Sequence, residues 1–107
     1  MTTNIFDLPE SLPDEEVFND LIPPKGVKIE RIISNGQTTP AGGWYDQDLH
    51  EWVVLIQGEA ELEYENGQTL RLIAGDHVLI PAHVRHRVVF TSKDPLCIWI
   101  AVFGDLI

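Results

Sequence analysis

One cysteine, one methionine and seven basic side chains are all that this chain of 107 residues holds of those types. A single thiol, Cys97, allows no internal disulfide, so a reducing compartment, the cytoplasm, is the expected setting. It sits in the apolar run CIWIAVF, where its expected role is that of a small hydrophobe in a strand. No apolar run approaches the ~20 residues that a bilayer-crossing helix needs. The opening MTTNIFDLPE has neither the positive start nor the apolar centre of a secretion signal, so neither export nor membrane insertion is expected. Basic charge is scarce as well: 17 acidic residues against 7 basic ones give a net charge of −10. That charge repels phosphate backbones and anionic lipid surfaces, which removes nucleic acid and membrane from the expected partners and favours solubility.

What is abundant is strand patterning. The length suits one domain. Residues 1 to 26 form a Pro-rich, acidic arm in which Ser11 is an N-cap candidate and Asp14 its capping-box partner. A short helix over residues 13 to 21 is expected, ended by the PPKG stretch. This arm is expected to pack on the outside or on a second subunit. From residue 27 to 107 the period is two: VKIERII puts Val27, Ile29, Arg31 and Ile33 on one face, with Lys28, Glu30 and Ile32 on the other. Further on, Glu59, Glu61, Glu63 and Glu65 alternate with Ala60, Leu62 and Tyr64, and Asn66-Gly67 makes a hairpin turn. One face of that sheet is therefore wet. Short strands so evenly punctuated predict an all-β domain, a small barrel or a two-sheet jelly roll.

Two polar clusters interrupt the apolar pattern, WYDQDLHE at residues 44 to 51 and PAHVRH at residues 81 to 86. Parity decides which groups converge. If Glu51 faces inward with Val53 and Leu55, so do Gln47 and Tyr45, while His50 and Trp52 face away. His86 shares a face with Val88 and Phe90, opposite Arg85, Arg87 and Val89, and His83 sits in the preceding loop where parity is silent. His77 is left as core or rim. Trp44, Trp99 and Phe103 are expected to fill the interior. Arg85 and Arg87 are expected at solvated strand edges, with an anion clamp at the mouth as the other option. A carboxylate, an amide, a phenol and one or two imidazoles inside a barrel form a plausible donor set for Mn, Fe, Ni or Zn, which accept mixed nitrogen and oxygen ligands. No serine stands in a nucleophile motif and the glycines make no phosphate loop.

With these residues in view, the chain resembles the cupin superfamily over residues 27 to 104. Glu51, the WVVLIQ stretch and Gly58 match the end of that family's first block; Gly75, DHVLI, Pro81 and His86 match the second. The block's two usual histidines fall on Tyr45 and Gln47, its inner glycine on His83, and a frequent asparagine on Phe90. The resemblance implies a double-stranded β-helix or jelly-roll barrel and metal ligands at Gln47, Glu51 and His86. Tyr45 would then be a weak or outer ligand, and His83 could swing in.

Fold alone leaves the reaction open. The leading expectation is a divalent transition metal in the barrel serving a dioxygenase- or isomerase-like enzyme on a small molecule, with Glu51 or Tyr45 handling protons. The alternative is a metal-free module that binds or senses a small molecule. A fully paired structural network is a third option, and a metal-free enzyme using His86 and Glu51 as acid and base lies between the first two. A homodimer is expected, through the arm or the VKIERII edge.

Overall fold

Alternating sequence becomes alternating burial wherever a strand lies between the two sheets. The computed structural model describes residues 2–107 and contains eight strands. These are β1 (Val17–Asp20), β2 (Val27–Ser34), β3 (His50–Gln57), β4 (Glu59–Tyr64), β5 (Thr69–Ile73), β6 (His77–Ile80), β7 (His86–Thr91) and β8 (Cys97–Gly104). They form a five-stranded sheet in the order β1-β2-β8-β3-β6 and a three-stranded sheet β5-β4-β7, antiparallel throughout. Two facing antiparallel sheets make the expected all-β sandwich. Val53, Leu55, Trp99 and Ala101 from the larger sheet pack against Ala60, Leu62 and Leu72 from the smaller. On the far side of β4, Glu59, Glu63 and Glu65 pair with Arg71, Arg87 and Arg85, as a wet face should.

The expected helix over residues 13 to 21 is not formed, and no helix occurs among the described residues. Its second half is strand β1, paired with β2 through Val17↔Ile33 and Asp20↔Glu30. A helix that short is marginal by itself, and the open edge of β2 offers a full ladder of hydrogen bonds instead. It follows that the VKIERII edge is occupied by the chain's own arm. Arg31 secures the arm further: Nη1 donates to the Ile5 and Asp7 carbonyls, both at 3.0 Å, and Nη2 to Asn19 Oδ1 at 2.9 Å. Among the described residues no helix is long and apolar enough to cross a membrane.

The arm changes which face of β2 matters. With Arg31 and its neighbours under the arm, Lys28, Glu30 and Ile32 are the residues that turn toward the space between the sheets. The strand register sets Lys28, Phe103 and Glu51 in one cross-strand row and Glu30, Ala101 and Val53 in the next.

Gly58 turns the chain from one sheet to the other with φ of 93°. A Cβ there would lie 2.7 Å from Ser92 Oγ, 2.9 Å from the Leu96 carbonyl oxygen and 3.0 Å from Cys97 Cα. Both the backbone region and the space are closed to a side chain, so Gly58→Ala should cost about 2–4 kcal/mol. Urea unfolding reads this as a lower midpoint at unchanged slope; an unchanged midpoint would contradict the crowding described.

Candidate functional site

Between the sheets lies a cavity of about 790 Å³, and the two polar clusters meet on its wall. Backbone pairing joins them. Tyr45 and His86 exchange N–H to carbonyl bonds at 2.7 and 3.2 Å, and the His83 N–H donates to the Gln47 carbonyl at 2.8 Å. Glu51 projects inward from β3 with the buried Val53 and Leu55, as its parity requires. His86 opens β7 beside Val88, and its ring lies on that of Tyr45 with centroids 5.5 Å apart and planes 28° from parallel.

Glu51 and His86 face each other in the interior of the cavity. Glu51 is 7% exposed and His86 4%, and Nε2 stands 3.6 Å from Glu51 Oε1. The other ring nitrogen, Nδ1, lies 3.0 Å from the Val84 carbonyl. A carbonyl can only accept, so Nδ1 carries hydrogen and Nε2 is left to face Glu51 and the cavity. Burial, the largest influence, pulls the His86 pKa down, yet the Glu51 carboxylate and the Val84 carbonyl outweigh it and the net shift is upward from 6.5. Burial raises the Tyr45 phenol, with the Glu16 and Glu51 carboxylates adding to the effect and Thr39 opposing it.

Three further cavity groups were not singled out from the sequence as site residues: Glu16, Lys28 and Glu30. Glu30 is 6% exposed, and Lys28 Nζ stands 3.5 Å from its Oε2. Burial raises the Glu30 carboxyl, Lys28 counters this, and Asp20 and Glu51 add to it. Glu16 accepts a hydrogen bond from Ser34 Oγ, which in turn accepts one from Trp99 Nε1 at 3.1 Å. Burial raises the Glu16 carboxyl and the Ser34 bond opposes it. In VKIERII three of the four apolar residues, Val27, Ile29 and Ile33, share their face with Arg31, so hydrophobicity points to the wrong side of β2.

Other residues stand apart from this group. His83 has φ of 65°, the left-handed region, at the position where the resemblance places a glycine. Its exposed ring lies 2.7 Å from Asp46 Oδ1 and 3.6 Å from Asp48 Oδ1, away from Glu51 and His86. Phe90 does not share the His86 face, because a bulge between Glu61 and Leu62 in the β4 pairing shifts β7 by one residue. Phe90 is left outside under the Arg71 guanidinium, 4.8 Å from its ring centroid. Trp44 does not fill the interior either; Arg87 stacks over it at 4.6 Å, and Arg85 and Arg87 pair with outer-face glutamates rather than facing the cavity. His77 is exposed and accepts a hydrogen bond from Trp52 Nε1 at 3.2 Å, and His50 Nδ1 accepts one from the Ala82 N–H at 2.9 Å. Trp99 and Phe103 line the cavity as expected.

Among the described residues no three His, Cys, Asp or Glu side chains converge as a metal site would require. Gln47, Glu51 and His86 are the residues that would hold a transition metal, but they supply one carboxylate, one imidazole and a weak amide oxygen. Tyr45, where a second imidazole would stand, lies flat on His86. That donor set does not fit a tightly held transition metal.

The sequence model of the Cupin domain family matches residues 35–103. No curated protein matches the chain. Among solved structures, a presumed mannose-6-phosphate isomerase from Ralstonia eutropha is 44% identical, with a TM-score of 0.89 over 98% of both chains. A cupin superfamily protein from Desulfitobacterium hafniense is 18% identical, with a TM-score of 0.72 over 90% of this chain and 83% of its own. A cupin domain from Schizosaccharomyces pombe is 12% identical, with a TM-score of 0.73 over 91% of this chain and 66% of its own. The last two show likeness of fold alone.

The upward shifts have a defined sign. A histidine raised above 6.5 on folding contributes stability that is complete below 6.5 and is lost as pH rises through its folded value. Glu16 and Glu30, raised from 4.5, act in the same sense, their contribution complete below 4.5 and lost as pH rises through their own folded values. The thermal midpoint should therefore fall as pH rises from 4.5 to above 6.5, with the upper part of the fall missing in His86→Gln. Calorimetry across that range checks it, and an upper limb unchanged in His86→Gln would remove His86 from the account.

Proposed function

The chain belongs to the cupin family, and from that premise we propose that it is an isomerase-like member in which Glu51 and His86 move protons on a small molecule held between the sheets. The observation that carries this reading is the buried Glu51–His86 pair, 3.6 Å apart on the wall of the cavity between the sheets. The 44% identical Ralstonia protein, presumed to be an isomerase, supports the reaction class. The carboxylate of Glu51 takes a proton from the carbon next to a carbonyl, and the His86 imidazolium gives one to the carbonyl oxygen. In the enediol so formed, Glu51 returns its proton to the former carbonyl carbon while His86 withdraws one from the hydroxyl on the carbon that lost its hydrogen; that hydroxyl becomes the new carbonyl, a 1,2 shift with no change in composition.

Each partner needs a defined protonation state. Although burial opposes it, the Glu51 carboxylate and the Val84 carbonyl raise the His86 pKa above 6.5 and so favour the imidazolium more than in an ordinary histidine, as a general acid requires. Its Nδ1 contact with Val84 aims Nε2 at the reacting oxygen. Tyr45, kept as a neutral phenol by burial and nearby carboxylates, is a second donor to developing negative charge. Because the donor set does not fit a tightly held metal, no step is assigned to one. The free edge of β1 at the end of the larger sheet suits pairing with a second copy, so light scattering should give twice the 12.1 kDa chain mass.

The test is deuterium uptake from heavy water into α-hydroxy aldehydes and ketones, followed by proton NMR. Glu51→Gln and His86→Gln should each slow exchange by about 10²–10⁴-fold, with circular dichroism unchanged. Saturable binding without exchange on any of these compounds would make the protein a binding module and overturn the enzymatic reading. Elemental mass spectrometry supplies a second arm: a near-stoichiometric transition metal lost in both variants would replace proton relay with a metal centre.

A further inference from the structure

The charges around the cavity are one-sided. Glu16, Glu30, Asp46, Asp48 and Glu51 line it, against Lys28 as its one permanent cation among the described residues. Two of these carboxylates, Glu30 and Glu51, are more than nine-tenths buried, on β2 and β3, the strands that flank β8. Their nearest cations stand at 3.5 Å for Lys28 and 3.6 Å for His86, lengths at which neither is a full hydrogen bond. Lys28 is 47% exposed and approaches Glu30 from the solvent side. The proton relay uses Glu51 and His86, which leaves Glu30 a buried carboxylate, facing the cavity, that the chemistry does not use. Burial favours the protonated form of Glu30 and Lys28 opposes it from one side only, so a cation arriving from the cavity would complete the pairing that keeps this side chain charged.

The walls point the same way. Tyr45 and Trp99 present aromatic surface to the space that Glu30 and Glu51 share. Carboxylates combined with aromatic faces are the chemistry that receives an organic cation, by charge on one side and by the ring quadrupole on the other. The arginines of the domain that could take a phosphate, Arg71, Arg85 and Arg87, are paired to glutamates on the outer face of the three-stranded sheet. A phosphorylated or carboxylated molecule entering the cavity would meet five acidic side chains against Lys28 and the His86 ring, the latter already paired with Glu51. The site therefore parts company with the phosphosugar in the name of its Ralstonia relative.

We propose that the cavity selects a small organic molecule bearing an ammonium group, with Glu30 as the residue that recognises the cation. The proposal rests on the reading of this cavity as the ligand site, and it names the class of compound on which the Glu51–His86 pair works. Lys28 stands at the mouth, where it shares Glu30 until a ligand cation arrives.

The test uses three probes of one shape: cyclohexylammonium, cyclohexanol and cyclohexanecarboxylate, titrated into the intact protein. Binding is followed by NMR at the Trp99 indole N–H and at backbone amides of β2 and β3. The ammonium probe should bind at least about ten-fold tighter than the alcohol, and the carboxylate should be weakest. In Glu30→Gln, which keeps shape and removes charge, the preference should drop below about three-fold. Equal or tighter binding of the alcohol or the carboxylate to the wild-type protein overturns the proposal, and this comparison needs no variant. A preference undiminished in a folded Glu30→Gln removes Glu30 from the role and overturns it as stated. The two readings fail separately: loss of deuterium exchange with charge preference intact sinks only the proton relay, and exchange on neutral carbonyls without charge preference sinks only this inference.

Discussion

The bridge between Tyr45 and His86 is the constraint on which the site depends. Two backbone hydrogen bonds there join the loop before β3 to the start of β7, elements that belong to different sheets. The same residue pair stacks its rings, and the His86 ring is pinned from behind by the Val84 carbonyl. With backbone, ring plane and one ring nitrogen all held, the remaining nitrogen can face only Glu51 and the cavity. Rigid placement of this kind keeps a proton donor and acceptor near reacting geometry without help from the ligand. It also accounts for a single imidazole being enough to organise the wall.

Much of this was legible in the chain itself. The two-residue period from β3 onward tied Glu51 to Val53 and Leu55 and set Trp52 on the opposite face, and in β4 the alternating glutamates marked the side away from the core. Gly58, Pro81 and His86 carried the family pattern and with it the architecture. The left-handed His83 follows the same logic: the family's glycine marks a backbone shape, and this chain keeps the shape with a histidine that holds Asp46 instead. Phe90 was misplaced because a bulge adds a residue that alternation cannot register. The arm was misread because a capping pattern describes local preference, whereas the edge of β2 is offered by residues ten to sixteen positions downstream.

The hardest residues to see were those on β2. A strand covered on both faces has no wet side, so its polarity need not mark the outside. Here the apolar face of VKIERII lies with Arg31 toward the arm, and the Lys28, Glu30 and Ile32 face is given to the cavity. The arm's docking and the character of the cavity are consequently one event. By covering Ile33 and bonding Arg31, the N-terminal residues decide which charges the interior receives. This also joins the two sheets' chemistry, since Glu30 and Glu51 reach the same space from either side of β8.

The chain of bonds from the Trp99 indole through Ser34 to Glu16 has one more consequence. Its donor is a ring that lines the cavity, and its acceptor is a carboxylate on the same wall. Any change in the charge on Glu16, or any molecule settling against the ring, alters the electric field along the indole. Emission wavelength follows that field. The domain thus carries an intrinsic optical reporter of its own interior, wired into the wall rather than attached to it.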